Sequence, residues 1–464
     1  MSAGSILLLV ALIPLLGSFH ILLMDKKDFS INVKLASVWT AAFAFLLSMI
    51  LFFLAKESFL FFDISFLING ISTYMIAITT FLILISVIIG CDEIKNNVRQ
   101  FHVTVLFLES LLVMLFSTAD ILVFYVLLEL VLVIAFMLLG VFAKDSICAS
   151  KFFIILSIGA IFLFFGVIYL IETTGITEIN VLSEYTFTQE QKNFIFAMFF
   201  IGFAHQMALF PLHIWLPDSH TKPPISISII LAGILLKIGA FGMITIVLPI
   251  IKCINKCMQE YIFIAAIFTI AYATLAAITQ RDIKRMVAYV SIIQTATIVI
   301  GIFSYNVDGV FGAFFNMIAH SFVVATMLII IRIIENHFGK RNVEGISVVL
   351  PSKMALTPIL AIISVPLLPC FVGNFLIISG SFCRHAFLSS GLCFLIACSV
   401  LYGLKTYHNM FFGENNQKKS KLTNIECVCL YPAVLCTVII GVVPDRVLHL
   451  VKDELYKICS VELR

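Results

Sequence analysis

The sequence predicts an all-α polytopic membrane protein of about 14 transmembrane helices, arranged as two inverted five-helix repeats that each contain a broken helix. Three observations predict it. Of the residues, 61% are hydrophobic and 12% charged, with a mean hydropathy of +1.13, which excludes a soluble domain of this length. Apolar windows of about 20 residues, the length that crosses a bilayer, recur from end to end. Two of these windows are interrupted by Pro and Gly, in FPLHIWLPDSHTKPP at 210–224 and PLLPCFVGN at 366–374. Paired interruptions of this kind point to a transporter built from repeats.

The windows fall at 6–24, 35–54, 70–90, 101–117, 121–142, 152–171, 193–211, 225–250, 261–279, 284–303, 309–333, 355–382, 386–412 and 427–443. The opening MSAGSILLLVALIPLLG has no basic n-region and no A-x-A site, so it reads as the first span and not as a removable signal. Of 29 Lys and Arg, 19 fall in odd-numbered loops, among them Lys26, Lys27, Lys95, Arg99, Lys144, Lys222, Lys284, Arg285, Arg332, Lys340, Arg341, Lys418 and Lys419. The even-numbered loops hold five. The positive-inside rule then places the odd loops in the cytoplasm and both termini outside; the expected location is the inner membrane of a bacterium. Three spans in 1–100 precede a first repeat in 101–250 (spans 4–8) and a second in 261–412 (spans 9–13). Span 14 follows in 427–464, with an amphipathic tail from Asp445 lying along the surface. The two broken spans match in spacing: Lys237 lies 31 positions after Gln206, and Lys405 lies 31 after Asn374.

Several chemistries are excluded. No GxGxxG follows a strand and no P-loop occurs, so nucleotide binding and redox chemistry are not expected in this chain. The 12 Cys are scattered; Cys253/Cys257 and Cys427/Cys429 are close pairs without zinc or iron–sulfur spacing. No cofactor or metal is expected. The net charge of +3 forms no nucleic-acid patch, and the bilayer is the expected surrounding.

What carries chemistry is the set of polar residues inside the spans, which are expensive in lipid and therefore functional hypotheses. Glu129 lies mid-span in ADILVFYVLLELVLVIAF, one turn after Tyr125. Lys237 shares a seven-residue stripe with Ser226, Gly233 and Ala240, whose small side chains admit water or a neighbouring helix. His320, on one face with Gly312 and Asn316, is a natural relay where water is scarce. Gln294, with Ser291 and Thr295, gives span 10 a polar face. His205 and Gln206 precede the first break; Trp215 beyond it reads as an interface anchor, and Asp218 and His220 read equally as solvated loop residues or as functional ones.

LFPLHIWLPDSH followed by SIILAGILLKIGAFG resembles the signature of the antiporter-like subunits of respiratory complex I, most of all the subunit M or chain 4 branch. ITQRDIKRMVAYVSI, MIAHS, FVGNFLI and LYGLKTYHNMFFG extend the likeness over essentially the whole chain. The resemblance implies proton translocation driven by quinone reduction in other subunits, with L- and N-like membrane-arm subunits as partners. It implies Glu129, Lys237 and His320 as path residues. Three path positions depart from the family pattern: Gln206 stands where the family has a lysine, Gln294 where it has a histidine, and Asn374 where it has a glutamate. Amides hydrogen-bond but carry no proton. His205 and Lys405 are further candidates. Two alternatives stand beside this reading. One is a subunit of a multi-subunit sodium/proton antiporter, which typically has lysines where this chain has Ala325 and Asn374. The other is a divergent paralogue kept as an assembly piece.

Overall fold

The structure is a computed structural model that describes residues 3–24, 29–54, 57–61, 64–143, 145–252, 254–339, 352–411 and 422–460. Its helices follow the apolar windows. In chain order they are α1 (Ala3–Leu23) and α2 (Phe29–Leu51); then a hairpin of β1 (Glu57–Phe61) and β2 (Ile64–Ile68). After it come α3 (Gly70–Glu93), α4 (Val98–Ser117), α5 (Ile121–Phe142), α6 (Ser146–Thr174), α7 (Ile179–Glu184) and α8 (Gln189–Gln206). The interrupted region follows, with α9 (Leu216–Thr221), α10 (Ile225–Ile230), α11 (Leu236–Gly242) and α12 (Leu248–Ile251). Next are α13 (Lys256–Thr279), α14 (Ile283–Ile302), α15 (Val307–Phe338), α16 (Ser352–Ile362) and α17 (Pro369–Phe382). The chain ends with α18 (Ala386–Phe411), α19 (Asn424–Val442), α20 (Pro444–His449) and α21 (Lys452–Ser460). Among the described residues, 12 helical segments are long and apolar enough to cross a membrane. The 18-residue α8 and the broken pair α16–α17 supply the remaining two of the expected spans.

Two compact units divide the chain: one holds 1–206, 222–230 and 241–251, the other 207–221, 231–240 and 252–464. The interrupted region thus contributes to both. In the first unit, helix starts are fixed by short acceptors. Asn69 and Ser72 form a capping box on α3. Asp120 Oδ1 accepts from the amides of Leu122 and Val123 at the start of α5, and Asp145 does the same for α6. Each satisfies donors that the first turn leaves orphaned. Asp145 also pairs with Lys222, whose ammonium holds this carboxyl below its usual range. Behind Pro223–Pro224 the amides of Ile225 and Ser226 donate to the Glu93 carboxylate at 2.7 and 2.9 Å, so an acid on α3 caps the re-entering helix.

In the second unit, Asp282 caps α14, Asn306 caps α15, and Thr423 with Glu426 forms a capping box on α19. The tightest helix pair is α15 with α17. A Cβ on Gly312 would lie 2.7 Å from the Ile377 amide nitrogen and 2.8 Å from the Gly373 carbonyl oxygen. Only a residue without a side chain permits that approach.

Both predicted breaks are present. After α8, Ala208 has φ +54° and the Phe210–Pro211 peptide is cis; the freed Phe210 amide donates to Thr269 Oγ1 at 3.2 Å. Between α16 and α17, Ser364 and Leu367 take φ of +58° and +71°, and Pro369 begins the new helix. Proline has no amide hydrogen to extend a helix, which explains both positions.

The structure also departs from the sequence reading in four places. The hairpin is a strand pair among described elements that are otherwise helical; the β-favouring Phe and Ile content of ESFLF and ISFLI suits it. Trp215 is 2% exposed, a core residue and not an interface anchor. His220 is buried, not solvated. Lys284 and Arg332, counted above with the loops, are buried inside α14 and α15. The basic residues at 26–27, 144, 340–341 and 418–419, and Cys253, lie outside the described residues.

Candidate functional site

Lys237 is built into an irregular stretch of helix. A π turn over Leu231–Leu235 precedes α11 and a second over Met243–Val247 follows it. Such wide turns concentrate at functional sites. The first breaks the sevenfold register with Ser226, so the predicted stripe does not run straight. It also leaves the Ala232 carbonyl oxygen for the Lys237 ammonium, 3.0 Å away and five residues earlier. The second contact of the ammonium is His320 Nδ1 at 2.6 Å. Both side chains are fully buried, at 0% and 1% exposure. On α15 the next residue, Ser321, donates to the Gly233 carbonyl at 2.7 Å, which ties α15 to the π turn and holds the pair in register.

The geometry permits direct proton exchange. With lysine charged, Nζ–H donates to an unprotonated Nδ1; with the proton moved, Nδ1–H donates to a neutral amine. The other ring nitrogen, Nε2, has no hydrogen-bond partner among the described residues, so it is open to receive or pass on a proton. Two further buried groups lie near the pair. His220 on α9 is within reach of Lys237, Lys284 and His320, and Cys370 in the first turn of α17 is within reach of Lys237. Lys284 enters this group because Asp282 caps α14 and starts the helix just before it.

The sequence-predicted amides converge. Asn316, one turn before His320 on α15, donates to Gln294 Oε1 at 3.0 Å and to Asn374 Oδ1 at 2.9 Å. Asn374 in turn donates to Ser364 Oγ at 2.8 Å, at the break before α17. Four side chains from α14, α15, α17 and the break form one network without a titratable member.

Other predicted residues stand apart. Glu129 is half-buried on the outward face of α5, beside exposed Leu122, Val126, Leu130 and Val133, and accepts from Tyr125 Oη at 2.9 Å. No cation pairs with it among the described residues. His205 and Gln206 are buried at the end of α8. The His205 ring engages the Ile201 carbonyl at 2.8 Å and packs on Gly159 of α6. Gln206 Nε2 has no hydrogen-bond partner. Lys405 is exposed on α18 and its ammonium donates to the Ile278 carbonyl at 2.6 Å, near the end of α13. The sequence reading passed over Lys284 and Glu109. The latter is a fully buried acid in the middle of α4, and its signal was a lone carboxylate in the apolar run VLFLESLLVMLF.

Known proteins resemble this chain in sequence and in fold. Residues 118–401 match the family described as NADH:quinone oxidoreductase/Mrp antiporter, TM. NADH-ubiquinone oxidoreductase chain 4 of Marchantia polymorpha is 28% identical over 460 residues, 94% of this chain and 93% of that protein. NADH-quinone oxidoreductase subunit M of Rickettsia typhi is 29% identical over 379 residues, 79% of this chain and 76% of that protein. Among solved structures, a chain of respiratory complex I from Thermus thermophilus with bound NADH has the same fold. Its TM-score is 0.89 at 20% identity, with 98% of this chain and 99% of that chain covered. A chain of the archaeal membrane-bound sulfane sulfur reductase follows at 0.84 and 21%, covering 98% and 97%.

Proposed function

This chain belongs to the NADH:quinone oxidoreductase/Mrp antiporter transmembrane family, and from that premise we propose that it is a membrane-arm subunit of an NADH:quinone oxidoreductase. It moves protons through buried Lys237 and His320 while quinone is reduced in other subunits, and it holds no cofactor of its own. The observation that carries this is the 2.6 Å contact between two fully buried titratable side chains, one on a helix interrupted by π turns. Lys284 and His220 extend the path toward the start of α14. Glu129 belongs to it at the outward face of α5. A half-exposed carboxyl at membrane depth is costly unless something answers it, and a neighbouring membrane-arm subunit of the L or N kind would cover that face.

His320→Ala tests the relay. In membranes holding the assembled complex, proton transfer through this chain is expected to slow by about 10²-fold or more, the usual contribution of a positioned acid–base group, and proton uptake coupled to NADH oxidation to fall by this chain's share. Unchanged uptake overturns the role of His320. Orientation is tested separately. A reporter inserted between α3 and α4 is expected on the cytoplasmic side of a bacterial inner membrane, and one at the C-terminus on the opposite side. Both reporters on one side would contradict an even number of spans.

A second reading has one specific observation in its favour. The Gln294–Asn316–Asn374–Ser364 network occupies three helices beyond His320 without a group that can carry a proton. This favours a chain that keeps the fold and contributes mainly to assembly. On that reading, deleting the chain would lower complex yield, and the unmodified protein would already pump no more than the His320→Ala variant.

A further inference from the structure

We propose that His102 and Glu109 form a second proton-holding site, within the first unit and separate from Lys237 and His320, which loads and unloads one proton from the Val98 end of α4.

Glu109 is 0% exposed, and neither carboxyl oxygen has a hydrogen-bond partner. A buried polar group kept for packing is almost always bonded, and an ionised carboxylate left without partners costs several kcal/mol. Packing alone would be served better by leucine. Among the described residues no charged group acts on Glu109, so it is not one half of an ion pair. A carboxyl in this setting has one chemical use left, which is to take and give up a proton.

His102 supplies the route. It lies seven residues earlier on α4, which places it about 20° from Glu109 around the helix and about 10 Å along it. Long helical side chains lean toward the N-terminus, so the Glu109 side chain reaches back toward His102. Buried Val105 and Leu106 lie between the two residues along the helix, and the proposed transfer crosses this stretch through one or two transient waters. His102 Nδ1 lies 2.9 Å from Ser37 Oγ, a contact in which either atom can be the donor; the Ser37 hydroxyl also has the Val33 and Lys34 carbonyls, each 2.9 Å away, as acceptors. In the tautomer that serves the proposed site, Nδ1–H donates to Ser37 Oγ. That leaves Nε2 as a bare acceptor, buried and without a partner. Lys34 on α2 is the charged group that acts on this ring; a turn earlier on α4, Arg99 is held by the Ile21 carbonyl at 3.1 Å.

The step balances. A proton from the aqueous side binds Nε2, and the ring is briefly cationic. It then passes to a carboxylate oxygen of Glu109; the imidazole returns to its neutral Nδ1–H form and Glu109 becomes a neutral acid. Unloading reverses the sequence.

Infrared spectra of the full-length protein in its native assembly, moved from H2O to D2O, test this. A protonated-carboxyl band that shifts in D2O and disappears in Glu109→Gln is expected. In His102→Phe and His102→Gln the band is expected to persist but to exchange more slowly by about 10²-fold. Lys237→Ala is expected to leave the exchange rate unchanged, so failure of the Lys237 relay and failure of this site are told apart. If no exchanging band is lost in Glu109→Gln, or if both His102 variants exchange at the unmodified rate, the proposal is overturned.

Discussion

Lys237→Ala is expected to slow proton transfer through this chain by about 10²-fold or more, and to lower proton uptake by this chain's share, while the chain remains assembled in the membrane. The two halves of that outcome have different causes. Uptake falls because His320 Nδ1 loses the nitrogen 2.6 Å away with which it exchanges a proton. Assembly survives because two stability effects oppose each other. Truncating a long buried side chain to alanine costs about 2–5 kcal/mol through lost packing and a cavity. Removing a cation from a fully buried position returns a desolvation penalty of several kcal/mol. Lys237→Met, which keeps most of the volume, is expected to assemble at least as well and to pump as poorly. Proton uptake compared with quinone reductase activity and complex yield, measured on the same membranes, separates these effects. Loss of assembly in both variants would make Lys237 a structural charge, and the relay would have to be sought elsewhere.

Gly312→Leu is expected to remove most of the folded chain from the membrane. A Cβ at this position meets two backbone atoms of α17, the Ile377 nitrogen and the Gly373 oxygen, and Leu376 Cβ at 2.8 Å. Backbone cannot rotate aside as a side chain can, so α15 and α17 must separate. Overpacking costs about 1–3 kcal/mol when side chains can adjust, and here the cost exceeds that range. Gly312→Ala, with one carbon in place of four, is expected to retain more protein. The readout is the amount of membrane-inserted chain by immunoblot, with its resistance to protease. Normal accumulation of Gly312→Leu would show that the two helices do not approach this closely. Because α15 carries His320 and α17 carries Asn374, proton yield in the alanine variant also reports how far the relay tolerates a shift between them.

Much of this was legible in the sequence, and the limits have physical causes. Lys237 and His320 stood out because a single ionisable residue in an apolar span is costly in lipid. Their pairing did not, since 83 positions separate them and only tertiary packing joins the two. The breaks were readable from Pro211, Pro223, Pro366 and Pro369, whose missing amide hydrogens act locally. The π turns were not, because LAGIL at 231–235 has the composition of any apolar helix. Lys284 was misread as a loop residue because QRDIKR is polar at every position but Ile283. Asp282 caps the helix there and the lysine next to it is buried. Trp215 and His220 were misplaced for a related reason: a loop that re-enters the protein buries its polar and aromatic residues, while the local sequence still reads as interfacial.

The way the π turn holds Lys237 has a further consequence. The ammonium rests on a peptide oxygen of its own helix and on a neutral ring, not on a carboxylate. An acidic partner would be stranded as a bare anion each time the lysine gave up its proton, and the cost of that anion would oppose departure. A peptide oxygen leaves no bare anion behind: it accepts a hydrogen bond from the amine as well as from the ammonium, though more weakly from the amine. The anchor therefore fixes where the nitrogen is without fixing what it carries, and the position of Lys237 need not change between the two states of its load.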